Sequence, residues 1–284
     1  MANFMILSDL HEEFSPLELS GVPDELDAVL LAGDLGAPGN MPDVMRGIRD
    51  VTGVPVYAVE GNHDLWRRGR TFRTWRKIRE STDQRLQEMS VAAPEMRVLR
   101  AGASVTVAGT RVIGATLWTD GKLGDEPPVF LRDRLLDRMN DYRKMTIEDE
   151  KRGIWRKAKP EDLFREHKKD LAGILSALDT PFSGPTVVMT HHVPLAELVR
   201  PILTSDGKDL RAAYGSDLSE VLMQRKFDAW VYGHSHQPED VHLATRFGDA
   251  RFLSNPRGYP GELPNFKPNV VLSVADDPAA SLDL

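Results

Sequence analysis

Five short clusters of histidine, aspartate and asparagine are spaced along the sequence, and they contain six of its eight histidines. In chain order the clusters are Asp9-Leu10-His11, Gly33-Asp34, Gly61-Asn62-His63-Asp64, His191-His192 and Gly233-His234-Ser235-His236. Imidazole, carboxylate and amide ligands without a thiolate suit manganese, iron, zinc, nickel or cobalt ions better than calcium. One ion takes about four to six such ligands, so the clusters hold enough ligands for two.

A pair of ions about 3.5–4 Å apart is a common catalytic arrangement, and it needs a shared carboxylate. Asp34 is the natural bridge, because it stands alone after an apolar run. Two divalent cations would outweigh the charges of Asp9 and Asp34, so the site would be positive although the chain carries a formal net charge of −7. The sequence therefore predicts an anionic substrate, and a phosphate ester fits best.

Each cluster follows an apolar run that is typical of a strand buried on both faces. The runs are Asn3–Leu7, Asp27–Ala32, Val54–Val59, Thr186–Thr190 and Ala229–Tyr232. In open α/β sheets, sites gather beyond the carboxyl ends of the strands, so the five clusters should meet. Residues i and i+2 of a strand point to one face. This alternation would place the side chains of Asp9 and His11 on one face of their strand, and those of His234 and His236 on one face of theirs.

The rest of the pattern indicates a single α/β domain over residues 1–284, in which two mixed sheets are flanked by helices. Helices are expected at Met41–Val51 and from near Arg70 to Met89. Further strands are expected at Met96–Arg100, Ser104–Ala108, Arg111–Leu117, Val241–Thr245, Arg251–Ser254 and Val270–Val274. The charged segment Pro127–Leu178 is expected to be mostly helical, and residues 120–180 are interpreted as a helical cap inserted over the site.

The composition excludes several kinds of protein. The absence of cysteine excludes a disulfide scaffold, a thiolate metal site and a cysteine nucleophile. The acidic balance argues against a protein that coats nucleic acid non-specifically. No apolar run approaches the roughly 18 residues of a membrane helix, and the N-terminus lacks the basic region of a signal peptide. A cytoplasmic protein without a membrane partner is therefore expected.

The series D-x-H, GD, GNHD, H and GHxH resembles the calcineurin-like metallophosphoesterases from Asp9 to His236. The resemblance implies a four-layer fold, with two mixed sheets packed as a sandwich between helices, and a dinuclear metal centre at the strand ends. It implies that one metal is held by Asp9, His11, Asp34 and His236. It implies that the other is held by Asp34, Asn62, His191 and His234. Manganese is expected first, with iron, zinc, nickel or cobalt as alternatives.

The resemblance also implies roles beside the metals. His63 would sit near the leaving group as an acid or charge stabiliser, with Asp64 orienting it. A hydroxide that bridges the metals would attack phosphorus, because metals lower the pKa of water, and His63 would protonate the departing alkoxide. Protein phosphatases of this superfamily carry Asp-Arg-Gly in the second motif and GNHE in the third. Residues Gly33–Gly39 lack that tripeptide and the third motif here is GNHD, which disfavours a protein phosphatase.

The sequence therefore predicts a metal-dependent phosphoesterase that acts on a small phosphate ester, with a phosphodiester favoured. A phosphomonoesterase or a nuclease of the same superfamily is the alternative, so nucleic acid is a second type of substrate to test. A scaffold that kept the fold but lost catalysis is the alternative from another class. Such a scaffold would be expected to have lost a metal ligand or His63, and every one of these positions is filled.

Adjacent residues of a strand face opposite ways, so only one of His191 and His192 should point at the metals. The resemblance favours His191. His192 is then expected to face the substrate or to hydrogen-bond behind the ligands. Of the two histidines outside the clusters, His167 is expected on the surface of a charged helix and His242 on a strand face without a role.

Three arginines are candidates for phosphate contact, because a guanidinium can donate two parallel hydrogen bonds to phosphate oxygens. Arg67 follows the GNHD motif in a basic stretch, for which the solvated face of an amphipathic helix is the favoured explanation. Arg143 lies in the expected cap, where an ion pair is the alternative. Arg257 lies in a loop after a late strand, where ordinary turn chemistry is the alternative.

Overall fold

The structure is a computed structural model that describes residues 1–69, 74–89, 94–124, 128–149 and 151–275. Its strands are β1 (Ala2–Leu7), β2 (Ala28–Leu31), β3 (Val56–Ala58), β4 (Met96–Val98), β5 (Ala103–Val107), β6 (Thr110–Ala115), β7 (Thr146–Asp149), β8 (Ile154–Lys157), β9 (Thr186–Thr190), β10 (Ala229–Tyr232), β11 (Glu239–Thr245), β12 (Gly248–Ser254) and β13 (Val271–Val274). Its helices are α1 (Met41–Thr52), α2 (Trp75–Met89), α3 (Pro128–Arg138), α4 (Asp141–Lys144), α5 (Pro160–Asp179) and α6 (Ser219–Leu222).

Two mixed sheets carry the fold. The first has the order β13-β1-β2-β3-β4, and it is parallel except for β13 at its edge. The second has the order β11-β12-β10-β9-β6-β5, and its edge strands β5 and β11 run antiparallel to their neighbours. The central strands are buried on both faces, as their continuous apolar sequences indicate. In β1, for example, Phe4 and Ile6 pack between the sheets, whereas Met5 and Leu7 pack on the outer side.

Helices cover the outer faces of both sheets. Met45 and Ile48 of α1 and Leu86 of α2 pack against the first sheet. Ile174 of α5 and Leu222 of α6 pack against the second sheet. The predicted fold, in which two mixed sheets form a sandwich between helices, is therefore confirmed.

The segment 120–180 differs from the helical cap expected there. After α3 and α4 the chain forms the antiparallel hairpin β7-β8, which turns at Gly153 with a φ of 63°. Ile147 and Trp155 are residue types that favour strands, but the high charge around them hides this signal. Helix α5 then packs Ile174 against the second sheet, so it belongs to an outer layer of the sandwich.

His167 corrects a second expectation, because it is buried rather than on the surface. It lies on the inner side of α5, and its Nδ1 is 2.8 Å from the carbonyl oxygen of Leu117. His242 is exposed on β11. The expected start of the second helix near Arg70 lies outside the described residues. Within the described ranges, no helix is long and apolar enough to cross a membrane.

Candidate metal centre

The five polar clusters meet at one edge of the sandwich, just beyond the carboxyl ends of β1, β2, β3, β9 and β10. His11 Nε2 lies 3.0 Å from His236 Nε2, although the two residues are 225 positions apart in the chain. His191 Nε2 lies 3.0 Å from Asn62 Oδ1, across the gap between the two sheets. Parallel strands deliver their carboxyl ends to one edge, which brings these side chains together.

Left-handed backbone, rather than strand alternation, aims the paired residues. Asp9 and His11 have φ values of 50° and 48°, and His234 and His236 have values of 68° and 51°. All four residues lie beyond the ends of β1 and β10, so the alternation of side chains along a strand does not account for their proximity. Left-handed backbone costs about 1–2 kcal/mol at a non-glycine residue. Strain of this kind concentrates at functional sites.

The first group of potential ligands consists of Asp9, His11 and His236. His236 Nε2 lies 3.5 Å from Asp9 Oδ1 as well as 3.0 Å from His11 Nε2. The outer nitrogens contact carboxylates: His11 Nδ1 is 3.2 Å from Glu13 Oε1, and His236 Nδ1 is 2.7 Å from Glu262 Oε2. Because a carboxylate only accepts hydrogen bonds, Nδ1 carries the proton in each ring. The lone pairs of both Nε2 atoms then face the same point, as in a metal site.

The second group consists of Asp34, His191 and His234, whose ligand atoms lie within 4.8 Å of one another. His191 Nδ1 is 2.8 Å from the carbonyl oxygen of Ala32, so it donates its proton there. The free Nε2 of His191 is 3.5 Å from Asp34 Oδ1 and 3.0 Å from Asn62 Oδ1. One imidazole, one carboxylate and one amide oxygen thus converge on a second point.

His192 turns away from both groups. Its Nδ1 is 3.3 Å from the carbonyl oxygen of Thr116, and its ring packs 4.2 Å from the ring of His234. Burial lowers the pKa of His192 to about 3. His234 Nε2 is 3.2 Å from the carbonyl oxygen of Ala213, which leaves Nδ1 of His234 for a ligand. Of the two expected positions for His192, the structure shows the one behind the ligands and not one facing the substrate.

Asp34 lies between the two groups. Its Oδ2 is 3.8 Å from His11 Nε2, and its Oδ1 is 3.5 Å from His191 Nε2. Burial, together with the nearby carboxylates of Asp64 and Asp9, raises the pKa of Asp34 well above its usual value. A carboxylate held in this environment is stabilised by cations rather than by water.

The histidines suit cation binding as well. Burial lowers the pKa of His191 and of His234 well below the ordinary value, so both rings are neutral at pH 7. Neutral imidazole and ionised carboxylate are the forms that bind divalent metals. The residues present therefore fit divalent metal ions, in agreement with the ligand types of the sequence.

A cavity of about 300 Å³ opens onto these groups. Its lining includes Asp34, Asn62, His63, His234 and His236 from the polar clusters. The other lining residues are Trp66, Arg138, Met139, Asn140, Asp141, Ile202, Tyr214, Ser235, Gln237, Tyr259 and Glu262. A substrate in this cavity would contact both ligand groups at once.

His63 stands in the wall of this cavity with both ring nitrogens occupied. Its Nδ1 is 2.8 Å from Glu13 Oε1, and its Nε2 is 3.2 Å from the hydroxyl of Tyr259. The indole of Trp66 packs on the ring with 3.5 Å between centroids. Burial lowers the pKa of His63 to about 4, although the hydrogen bond to Glu13 works in the opposite direction.

Asp64 does not orient His63, which corrects the role expected for it. Its carboxylate accepts four backbone N–H groups at 2.8 to 3.4 Å, those of Asp34, Leu35, Gly36 and Gly61. The side chain therefore ties the loop after β2 to the loop after β3. The carboxylate that contacts the ring of His63 is that of Glu13. Burial raises the pKa of Glu13, but the hydrogen bonds from His11 and His63 outweigh burial and lower this pKa to about 2.

Gly61 allows these two loops to touch. A Cβ at this position would lie 2.1 Å from Asp34 Oδ1 and 2.3 Å from Asp34 N. Gly61→Ala should therefore destabilise the protein by about 1–3 kcal/mol, the usual cost of an overpacked site. The change is measured as the free energy of unfolding in urea.

Gly47→Ala is the matched control, because a Cβ at Gly47 in α1 would meet nothing within 4 Å. Replacing glycine inside a helix should stabilise the protein by roughly 0.5–1 kcal/mol. Equal stability of Gly61→Ala and the wild type would contradict the close approach to Asp34.

The three candidate arginines do not line the cavity. The guanidinium of Arg257 donates to the carbonyl oxygens of Leu10, Ser15 and Pro16 at 2.8–2.9 Å, so it holds the loop after β1. Arg143 donates to the carbonyl oxygen of Asp137. The side chain of Arg67 is exposed, while its backbone N–H donates to the carbonyl oxygen of Lys144 at 2.8 Å.

Among the site residues that were missed from the sequence are Glu13, Asp141, Tyr259 and Glu262. Glu13 lies two positions after His11, and this proximity is a signal that could have found it. The other three come from the 128–157 segment and from the loop after β12, where nothing in the local sequence marks them. Only the packing of those segments shows that they reach the cavity.

Comparisons with known proteins agree with the fold and identify the family. The family model for calcineurin-like phosphoesterases matches residues 2–238. A search of curated proteins found no similar sequence. Among solved structures, the phosphopantetheinyl hydrolase from Mycobacterium tuberculosis superimposes with a TM-score of 0.68 at 19% identity, over 98% of this chain and 97% of its own. A second solved structure has a TM-score of 0.45 at 14% identity, over 92% of this chain and 91% of its own.

Proposed function

Because this chain belongs to the calcineurin-like phosphoesterase family, we propose that it is a metal-dependent phosphodiesterase with a dinuclear centre. The observation that carries the proposal is the position of Asp34. Its two carboxylate oxygens face different groups of potential ligands, one toward His11 and the other toward His191. A carboxylate in this position is suited to bridge two cations.

The proposed ligands are those implied by the sequence. Asp9, His11, Asp34 and His236 would hold one ion, and Asp34, Asn62, His191 and His234 would hold the other. Divalent ions at these positions, manganese first, would supply a nucleophile at neutral pH and neutralise the phosphoryl oxygens. The protein's part is to hold neutral imidazoles and ionised carboxylates in place and to bind the ester in the cavity.

His63 would act on the leaving group. Glu13 accepts the proton on Nδ1 at 2.8 Å, so Nε2 is the atom that would meet the departing oxygen. Because burial lowers the pKa of His63 to about 4, Nε2 must first take up a proton from water before it can pass one to that oxygen. The hydroxyl of Tyr259 is hydrogen-bonded to this Nε2 at 3.2 Å. A leaving-group oxygen would take the place of that hydroxyl.

The charge of the cavity favours a diester over a monoester. Among the lining residues that the structure describes, Arg138 is the single arginine or lysine. Arg138 already pairs with Asp137 at 3.0 Å and lies 3.7 Å from Asp206. A phosphomonoester carries up to two negative charges and a diester one, so the smaller charge needs fewer cationic partners. A small diester in the cytoplasm is the proposed substrate.

A metal-by-substrate panel tests the proposal. Metal-free protein would be loaded with Mn²⁺, Fe²⁺, Zn²⁺, Ni²⁺ or Co²⁺ and assayed on monoesters, linear diesters, cyclic nucleotides and single-stranded nucleic acid. A phosphopantetheinyl ester belongs in the panel, because the superimposed structure is a phosphopantetheinyl hydrolase. We expect two ions per chain and the highest kcat/KM on a diester. Faster turnover of monoesters would replace the diester proposal, and faster turnover of nucleic acid would replace the small diester by a polymeric one. Inactivity with every metal would favour the scaffold.

Glu13→Gln tests the carboxylate behind the metal ligands. It removes the charge that holds both His11 and His63 while keeping the size of the side chain. We expect kcat to fall by roughly 10- to 100-fold, as is usual for partners of metal-binding histidines. Glu12→Gln is the matched control, because the carboxylate of Glu12 accepts the backbone N–H of Leu17 at 3.2 Å. Equal kinetics for the two variants would show that Glu13 does not position the rings.

A further inference from the structure

Asp141 reaches the candidate metal centre from outside the five polar clusters. It begins α4, it is 4% exposed, and it lines the cavity. One of its oxygens, Oδ1, accepts two hydrogen bonds: from Asn62 Nδ2 at 2.9 Å and from the indole Nε1 of Trp66 at 2.8 Å. A single buried carboxylate oxygen therefore holds two residues of the loop after β3.

The first bond decides which end of the Asn62 amide faces the ligand groups. A carboxylate accepts and never donates, so the amide must turn its NH₂ group toward Asp141. The carbonyl end, Oδ1, then points the other way, where it lies 3.0 Å from His191 Nε2. Only this end of an amide binds a cation. With the amide reversed, the NH₂ group would face the cation position and repel it.

The second hydrogen bond holds the indole of Trp66, which packs on His63. The indole N–H of Trp66 can only donate, and Asp141 is its acceptor. The same indole packs on the ring of His63 with 3.5 Å between centroids. On Trp66, the ammonium of Lys144 lies 3.8 Å from the ring centroid. Helix α4 thus contacts Asn62, which is a proposed metal ligand, and Trp66, which packs on His63.

We propose that Asp141 is a positioning residue that selects the metal-binding end of the Asn62 amide, and thereby links the segment 128–157 to the second metal site. This inference rests on the proposed function, since it concerns the ion that Asn62, His191 and His234 would hold. It differs from that function in assigning part of the metal affinity to a residue that is not itself a proposed metal ligand.

Asp141→Leu tests the inference through the affinity for metal ions, without an activity assay. Leucine has a similar size and cannot accept either hydrogen bond. We expect the wild type to bind two Mn²⁺ ions by titration calorimetry and the variant to bind its second ion roughly 10- to 100-fold more weakly. Asp137→Leu, an exposed position on α3, is the matched control and should bind like the wild type. Wild-type affinity for both ions in Asp141→Leu would overturn the inference.

A second experiment covers the case in which Asp141→Leu does not fold. N62D places two carboxylates against each other, and it should weaken the second ion. Adding D141N restores a hydrogen-bond donor to that contact. The amide at position 141 then donates to the carboxylate at position 62, which is the proposed metal ligand. We expect N62D/D141N to bind the second ion at least about tenfold more tightly than N62D alone. Purely additive effects of the two changes would overturn the inference.

These results separate the inference from the proposed function. A wild-type protein that binds fewer than two Mn²⁺ ions contradicts the dinuclear centre itself. A wild type with two ions, together with an unaffected Asp141→Leu, contradicts only the role of Asp141. Trp66→Phe should keep both ions, because it removes only the second hydrogen bond of Asp141. Loss of an ion in Trp66→Phe would assign the effect to the indole.

Discussion

Asp34→Asn is expected to lower kcat on phosphate esters by about a thousandfold, the scale of losing a group that stabilises transition-state charge. Asparagine keeps one oxygen, which can still accept the backbone N–H of His63 that now lies 2.8 Å from Asp34 Oδ1. It puts an NH₂ group in place of Oδ2, the oxygen that faces His11. The variant therefore should not bridge two ions, and metal analysis should find one Mn²⁺ or none.

The same substitution should stabilise the metal-free protein. Without cations, Asp34 is a buried carboxyl group beside Asp64 and Asp9, and this environment disfavours its charge. Removing the charge should raise the melting temperature in EDTA at pH 7, as often happens when a functional site is neutralised. Asp24→Asn, at an exposed position, should leave both properties unchanged. A fully active Asp34→Asn with two bound ions would rule out the bridge.

His63→Asn should produce a loss of activity that depends on the leaving group. A nitrophenolate departs without a proton, whereas an alkoxide needs one. General acid catalysis contributes about 10²- to 10⁴-fold, so kcat on an alkyl ester should fall by that amount. The loss on a nitrophenyl ester should be much smaller. The quantity measured is the ratio of the two losses.

His242→Asn is the matched control for that experiment, because His242 is exposed on β11 and lies outside the cavity lining. Its kinetics should equal those of the wild type on both esters. Equal losses on the two esters in His63→Asn would show that His63 binds or shapes the site without supplying a proton. Unchanged metal content in His63→Asn is required for either interpretation, and metal analysis provides it.

The polar residues that meet at the site could be anticipated from the sequence because each of the five clusters is local. A short apolar run predicts a buried strand, and the polar residues that follow must appear at its carboxyl end. Asp34 after β2 and His191 after β9 are such cases. The types of side chain then restrict the metal, and the absence of cysteine removes thiolate sites. Fold class and candidate ligands follow from these local features.

The partners of those ligands depended on contacts that no local pattern contains. His63 meets Tyr259, 196 positions further along the chain, and His236 meets Glu262. Asp64 is adjacent to His63 in sequence, yet its carboxylate turns back to the backbone of the neighbouring loop. His167 was expected at the surface, but α5 packs it against Leu117. The hydrogen-bond partner of each imidazole nitrogen is therefore set by the segments that pack beside the ring.

The amino-acid pattern thus indicated two mixed sheets between helices, the edge at which the polar clusters meet and the types of side chain found there. The tertiary structure decided the left-handed backbone at Asp9 and His11, the position of Glu13 between two rings, and the hold of Asp141 on Asn62. The physical reason is one of distance along the chain. Periodicity and residue type act within a few positions, whereas the orientation of a buried polar group is set by the acceptors that distant segments place beside it.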